Sequence, residues 1–246
     1  MFWFLRLWLA HLLADFPFQT NLIFKLKKRS FFGVVLHGSI FLICALFLSV
    51  PYLKYFSSIL YILFVWIFHI YVDWEKVKTS NLSKKQDNVW YFLLDQLIHF
   101  LSLTLVFFFP YNKYPIFWEK PYLGRLWLRF YNSDYYVLLA IGYIIVVFAG
   151  TILTFYVRKS LNSKEDFILN GIPPFEKYIG GIFKSILFFL LWFEIKYYYF
   201  FFSLLILIKF LIDKYLTKIS LNLSLINTFV DVSLIIFIIS MLKLIL

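Results

Sequence analysis

Eight runs of about twenty mostly apolar residues follow one another along this chain, each as long as a helix must be to cross a hydrocarbon layer of about 30 Å. They fall at 2–24, 31–50, 56–75, 89–109, 135–157, 176–194, 196–212 and 224–245. A chain patterned this way needs lipid as its solvent. Hydrophobic residues make up 63% of its 246 residues and charged residues only 15%, against roughly 45–50% and 25% in a soluble domain. A soluble fold of this length could not hide so much apolar surface. Inside a bilayer the backbone must satisfy itself, and helices do this segment by segment. The expected fold is therefore all-α: a polytopic transmembrane helix bundle of seven or eight spans, the number turning on the last three runs, of which the sixth and seventh are barely separated. Pro51 and Pro110 follow the second and fourth runs, where a helix cannot continue. The run 2–24 does not read as a cleavable signal peptide, because Arg6, His11 and Asp15 interrupt it and no small-residue cleavage site follows. The single cysteine, Cys44, excludes a disulfide scaffold and reads as apolar filler.

The formal net charge is +11. In a soluble protein that excess would raise the question of nucleic acid, but no nucleic-acid motif is present, and in a membrane protein basic residues gather in cytoplasmic loops. Lys25, Lys27, Lys28, Arg29, Lys76, Lys78, Lys84, Lys85, Arg158, Lys159, Lys164, Lys177, Lys214 and Lys218 fall in odd-numbered loops. Lys54, Lys113, Lys120, Arg125, Arg129, Lys196 and Lys243 fall on the other side. This two-to-one bias places the odd-numbered loops in the cytoplasm and both termini outside. The expected organisation is a four-helix core at 1–109, an interfacial external loop rich in Tyr, Trp and Arg at 110–134, and C-terminal membrane helices at 135–246.

Polar groups inside spans are costly and mark function. The first four spans hold all four histidines of the chain and three aspartates: His11 and Asp15, then His37, then His69 and Asp73, then Asp95 and His99. The three His/Asp pairs are each four residues apart, so each shares one helix face. Gln19 continues the stripe of the first span, and Gln96 stands beside Asp95. Spans 1 and 3 run inward with their polar residues late; spans 2 and 4 run outward with theirs early. At about 1.5 Å per residue, the four helices bring these groups to one level in the cytoplasmic half of the bilayer.

Imidazole and carboxylate on facing helices are how bundles build metal sites, and the pairing suits a divalent transition metal such as Zn, Fe or Mn. His11, His37, His69, His99, Asp15, Asp73 and Asp95 are the expected ligands, with the three aspartates also available as catalytic bases. Gln19, Gln96 and Lys76 are expected to orient ligands or substrate. The bland reading is a polar layer that only locks helices together. Lys76, one turn after Asp73, is expected to pair with it or to snorkel to the interface. Glu75 reads as a boundary charge. Arg6 is expected to pair with an intramembrane acid, and Asp231 with Lys184 or Lys209. Gly142, Ala149 and Gly150 read as close-packing positions.

These residues carry a family resemblance. His-Leu-Leu-Ala-Asp-Phe-x-x-Gln-Thr at 11–20, His37, His69-x-x-x-Asp73-x-x-Lys76 and Asp95-Gln96-x-x-His99 resemble, in order, spacing and type, the bacterial membrane family known as domain of unknown function 3307, over residues of about 5–105. The later half resembles longer members loosely: Ile179 to Lys184 has Phe183 where their pattern has an acid, and the last span, around Asn227-Thr228, lacks their glycine. The resemblance implies a polytopic protein of the bacterial inner (cytoplasmic) membrane and brings no reaction with it.

The expected activity is metal-dependent hydrolysis of a lipid-linked or amphiphilic substrate near the cytoplasmic face, with the bilayer as the one certain partner. The alternatives are a transporter or proton-coupled carrier, haem held by paired histidines, and a non-catalytic membrane subunit whose polar layer is structural.

Overall fold

The computed structural model describes residues 1–82, 88–109, 116–118, 124–161, 174–194, 197–216 and 220–246. Among the described residues there is no strand, and eleven α-helices carry the fold. In chain order they are α1 (Phe2–Asp15), α2 (Asn21–Arg29), α3 (Phe31–Leu48), α4 (Phe56–Leu82), α5 (Val89–Thr104), α6 (Gly124–Asn132), α7 (Asp134–Ile144), α8 (Gly150–Leu161), α9 (Pro174–Trp192), α10 (Tyr198–Tyr215) and α11 (Leu221–Ile245). Much of the expected external loop, with Lys113 and Lys120, lies outside the described residues, as do Lys84, Lys85, Lys164, Lys196 and Lys218.

Five helical stretches are long and apolar enough to cross a membrane: Phe31–Leu48, Phe56–Ser80, Val89–Phe108, Asp134–Lys159 and Leu221–Ile245. Their outer faces carry exposed side chains such as Phe32, Phe64, Trp90 and Phe229, a surface that only lipid accommodates. The other three expected spans differ for visible reasons. The run 2–24 is broken: α1 stops at Asp15, because Pro17 supplies no backbone donor and disfavours helical geometry at Phe16. The chain turns, and the Thr20 hydroxyl then accepts from the Ile23 N–H to start the short amphipathic α2. α9 and α10 are long enough, yet each contains three charged residues in sequence: Glu176, Lys177 and Lys184, then Lys209, Asp213 and Lys214.

The contacts divide the chain into two compact units, Met1–Ile141 and Gly142–Leu246. In the first, α1 packs on α3 and α5, α3 packs on α2 and α4, and α4 packs on α5. α1 is the central element: twelve of its fourteen residues are buried. Its N-terminal end is pinned by polar and aromatic contacts. The Trp3 indole N–H donates to Ser49 Oγ at 2.8 Å and the ring stacks on Tyr52 at 4.7 Å. The buried Arg6 donates to the carbonyls of Phe2 and Tyr131 and pairs with Asp134, a partly exposed acid at the start of α7 rather than one within a span as expected from sequence. Tyr61 and Tyr131 donate to the carbonyls of Leu103 and Leu48, tying in α5 and α3.

Gly33 settles where α2 lies. A Cβ there would run into the backbone of Leu26 and Lys27, so only glycine lets α2 fold back against the first turn of α3. In the second unit Gly142 and Gly150 do the packing expected of them. A side chain at either would collide with Leu242 or Leu234 of α11.

Candidate metal centre

The C-terminal end of α1, the early turns of α3 and α5, and the second half of α4 meet in one buried layer. His11, Asp15, His37, His69, Asp73, Asp95 and His99 are each 6% exposed or less. The ring centroids of His69 and His99 are 4.2 Å apart; His11 lies 5.1 Å from His99 and 5.5 Å from His69; His37 lies 5.4 Å from His69. Phe41 stacks on His69 at 5.2 Å and closes one side. All seven residues expected as ligands are therefore brought together.

The three carboxylates are held in the same way. Each gives one oxygen to an N–H donor and turns the other toward imidazoles. Lys27 Nζ donates to Asp73 Oδ1 at 2.6 Å, leaving Oδ2 facing His69 at 3.3 Å and His37 at 3.4 Å. Lys76 Nζ donates to Asp95 Oδ2 at 2.7 Å, leaving Oδ1 at 3.5 Å from His99. Gln96 Nε2 donates to Asp15 Oδ2 at 2.9 Å, leaving Oδ1 at 3.2 Å from His37 and 3.6 Å from His69. Among the described residues, Asp15 Oδ1, Asp73 Oδ2, Asp95 Oδ1 and the Nε2 atoms of His11, His69 and His99 are buried without a hydrogen-bond partner. Their close approaches are therefore convergences rather than hydrogen bonds.

That pattern has a chemical meaning. Buried polar atoms are nearly always satisfied, because an orphan costs about 1–3 kcal/mol. Ligand atoms about 2.1 Å from a tetrahedral ion lie about 3.4 Å from one another; the nitrogen–oxygen separations here run from 3.2 to 3.7 Å for the closest pairs. Three overlapping groups each bring their ligand atoms within 4.8 Å of one another and could hold a metal ion: His11, Asp15 and His69; His37, His69 and Asp73; Asp73, Asp95 and His99. Two ammonium groups and one amide donate to the three carboxylates, and Asp15 is the one held by the amide.

Several assignments from sequence change. Lys76 pairs with Asp95, not Asp73, because α4 and α5 are antiparallel neighbours and its side chain crosses between them. Gln19 is not on the α1 stripe, since the helix has already ended; it stands after the Pro17 turn, and its amide reaches the His37 ring at 3.5 Å. Gln96 stands beside the layer and donates to Asp15 and to Asp95. Lys27 was counted only among loop charges, yet it is buried against Asp73. Burial alone would lower its pKa, but the carboxylates of Asp73, Asp15 and Asp95 outweigh that and hold it raised. Nothing in the basic run Lys25–Arg29 singles out Lys27; the fold-back at Gly33 does.

Described residues that are helical throughout the bundle, five helices long and apolar enough to cross a membrane, and four helices converging on a buried His/Asp layer fit a multi-pass membrane protein whose buried groups could hold a metal ion. Residues 3–119, which contain every member of that layer, match the family described as protein of unknown function (DUF3307). No curated protein and no solved structure matches the chain.

Proposed function

We propose that the layer is a divalent transition-metal centre (Zn, Fe or Mn) and that the protein is a metal-dependent hydrolase acting on a lipid-linked or amphiphilic substrate. The observation that carries this reading is the set of six orphaned nitrogen and oxygen atoms at ligand-to-ligand spacing. His11, His37, His69 and His99 would supply neutral nitrogens, and Asp15, Asp73 and Asp95 one oxygen each. A bound ion of this kind lowers the pKa of its water to about 7 and so supplies a nucleophile near neutral pH. Lys27, Lys76 and Gln96 fix the rotation of the carboxylates, which keeps the open oxygens aimed inward. Gln19, at the turn after α1, is placed to orient His37. Seven donors are more than one four-coordinate ion takes, so one carboxylate would be left as general base, and Asp15, held by a neutral amide rather than by an ammonium, is the best placed for that role in place of ligation.

The membrane setting follows the charge pattern. α2, with Lys25, Lys27, Lys28 and Arg29, adjoins the layer, so the positive-inside rule puts the site near the cytoplasmic face of a bacterial inner membrane. Seven or eight spans result if α9 and α10 cross with their charges turned inward.

A proton-coupled carrier is the second reading, since His/Asp chains also relay protons. It needs a polar path beyond His11. There the described residues place Trp3, Tyr52, Tyr61 and Phe109 in ring contact around α1, which favours a one-sided site. Metal analysis of the protein purified without chelators decides the matter. The expected result is at least one transition-metal ion per chain, lost in His69→Ala and Asp73→Asn. Folded protein with no bound metal overturns the proposal; uptake of protons into liposomes by such metal-free protein supports the carrier. Alanine variants that only unfold indicate a structural layer.

A further inference from the structure

Among the described residues, the unpaired buried carboxylate and imidazole atoms all lie in the His/Asp layer. In the unit Gly142–Leu246 the buried carboxylates of Asp213 and Asp231 each already accept from a lysine and a hydroxyl: Lys209 and Ser224 for the first, Lys184 and Thr154 for the second. The layer, by contrast, offers more donors than one ion uses. A four-coordinate ion takes four, and seven buried side chains converge there.

How the three ligand sets overlap decides how many ions fit at once. An imidazole turns one ring nitrogen toward an ion, so two sets that share a histidine exclude each other. The sets His11, Asp15, His69 and His37, His69, Asp73 share His69 in this way. A carboxylate has two oxygens and about four lone-pair sites, so it can serve two ions. The sets His37, His69, Asp73 and Asp73, Asp95, His99 have only Asp73 in common, and its oxygens are already divided between them. Oδ2 faces His69 at 3.3 Å and His37 at 3.4 Å. Oδ1 faces His99 at 3.9 Å; it accepts from Lys27 with one lone pair and has another to give. The rings of His69 and His99, one from each set, have centroids 4.2 Å apart, which keeps the two positions close. The set His11, Asp15, His69 shares nothing with Asp73, Asp95, His99, but filling that pair instead would strand the unpaired Asp73 Oδ2.

We propose that the layer holds two divalent ions bridged by Asp73, which rests on the metal centre proposed above and here uses both oxygens of that carboxylate. The first ion is held by His37, His69 and Asp73 Oδ2. Its fourth donor is His11, whose ligand atom lies within 4.8 Å of that of His69. The second is held by Asp73 Oδ1, Asp95 Oδ1 and His99 Nε2, one donor short of four, and so keeps an open position for water or substrate. Asp15 alone is left without an ion and remains the base. Paired ions of this kind lie about 3.5–4 Å apart and hold the attacking and the leaving oxygen of one displacement together. At that distance two divalent ions repel each other, so the second binds more weakly than the first.

The test titrates the full chain, purified in detergent and stripped of metal, with Mn²⁺. Electron paramagnetic resonance reads the signal of isolated bound Mn²⁺, and elemental analysis counts the ions retained. The expected result is a signal that rises to one ion per chain and then falls as the second enters, because two Mn²⁺ joined by a carboxylate couple magnetically. Asp95→Asn and His37→Ala each remove a ligand of one ion only. Each is expected to halve the bound metal, to one ion per chain, with a signal that no longer falls; should a variant unfold, the titration of the unaltered chain decides alone. Saturation at one ion per chain overturns the bridged pair and leaves the metal centre standing, whereas no bound ion overturns both. Two ions without loss of signal, or two ions retained in both variants, overturn Asp73 as the bridge.

Discussion

In the N-terminal unit each of three buried carboxylates keeps one oxygen turned toward imidazoles that do not hydrogen-bond to it. In the C-terminal unit both buried carboxylates are filled, each by a lysine and a hydroxyl. Both assemblies are built from polar residues three or four apart on apolar helices. The difference is in what is left over: lone pairs aimed at imidazoles in the first, and carboxylates already held by lysine and hydroxyl in the second. A buried ionic cluster becomes informative once its donors and acceptors are counted against each other. Counting ion pairs alone would have made the two assemblies look alike.

Paired substitutions break this comparison most sharply. Asp73→Ala strands the Lys27 ammonium in a buried position, and removing one partner of such a pair costs about 3–5 kcal/mol. It is expected to lose the metal and to lower stability by that amount, measured by unfolding in detergent with parallel metal analysis. The double variant Lys27→Met/Asp73→Leu is expected to recover most of the stability and none of the metal. In the other unit, Lys184→Met/Asp231→Leu is expected to be close to neutral for stability and to leave metal content unchanged. Should the double variant at Lys27 and Asp73 keep its metal, the assignment of Asp73 as a ligand fails.

Chelation comes next in size. A ligand present at a hundred times its dissociation constant stabilises by about 2.7 kcal/mol, so stripping the metal is expected to lower stability on that order, and adding Zn²⁺ or Mn²⁺ to restore it. Differential scanning fluorimetry reads both changes in one titration. Gly33→Leu should follow, with a cost of about 1–3 kcal/mol from overpacking. Because α2 is pushed off α3, Lys27 is drawn from Asp73, and metal affinity is expected to fall although no ligand is touched. Gln96→Ala sharpens the comparison most finely. Its stability cost is expected near 1 kcal/mol, while metal affinity drops about 10- to 100-fold, as losing a group that orients a ligand does. Competition with a fluorescent chelator measures both affinities.

Much of the first site was legible because helical spacing and span direction fix which faces carry which groups and at what depth. His11 with Asp15, His69 with Asp73, and Asp95 with His99 needed no more than that. What escaped depended on tertiary contact. Lys76 reaches the neighbouring helix rather than its own, and Lys27 enters from a short helix that looks like any basic loop until Gly33 folds it back. Gln19 was placed on a helix that Pro17 had already ended, although the proline was there to be read. In the second unit the spacing of Thr154 with Arg158, Lys209 with Asp213, and Asn227 with Asp231 was equally available. There the sequence pointed to Asp231 pairing with Lys184 or Lys209, and Lys184 is the partner; the other pairs pass for snorkelling and capping residues. The span count was less legible, since three charges in α9 and in α10 leave hydropathy undecided there.

The shortness of α1 bears on how the protein is made. Fourteen residues rise only about 21 Å, well under the thickness of the hydrocarbon core, and the segment carries Arg6, His11 and Asp15. On the scale of insertion by the translocon, a central arginine or aspartate costs about 2.5–3.5 kcal/mol. α1 emerges from the ribosome before α3, α4 and α5, the helices that later bury it, have been synthesised. It must therefore wait at the membrane surface or inside the insertion machinery until they arrive, so the site is completed late in assembly, by the element made early.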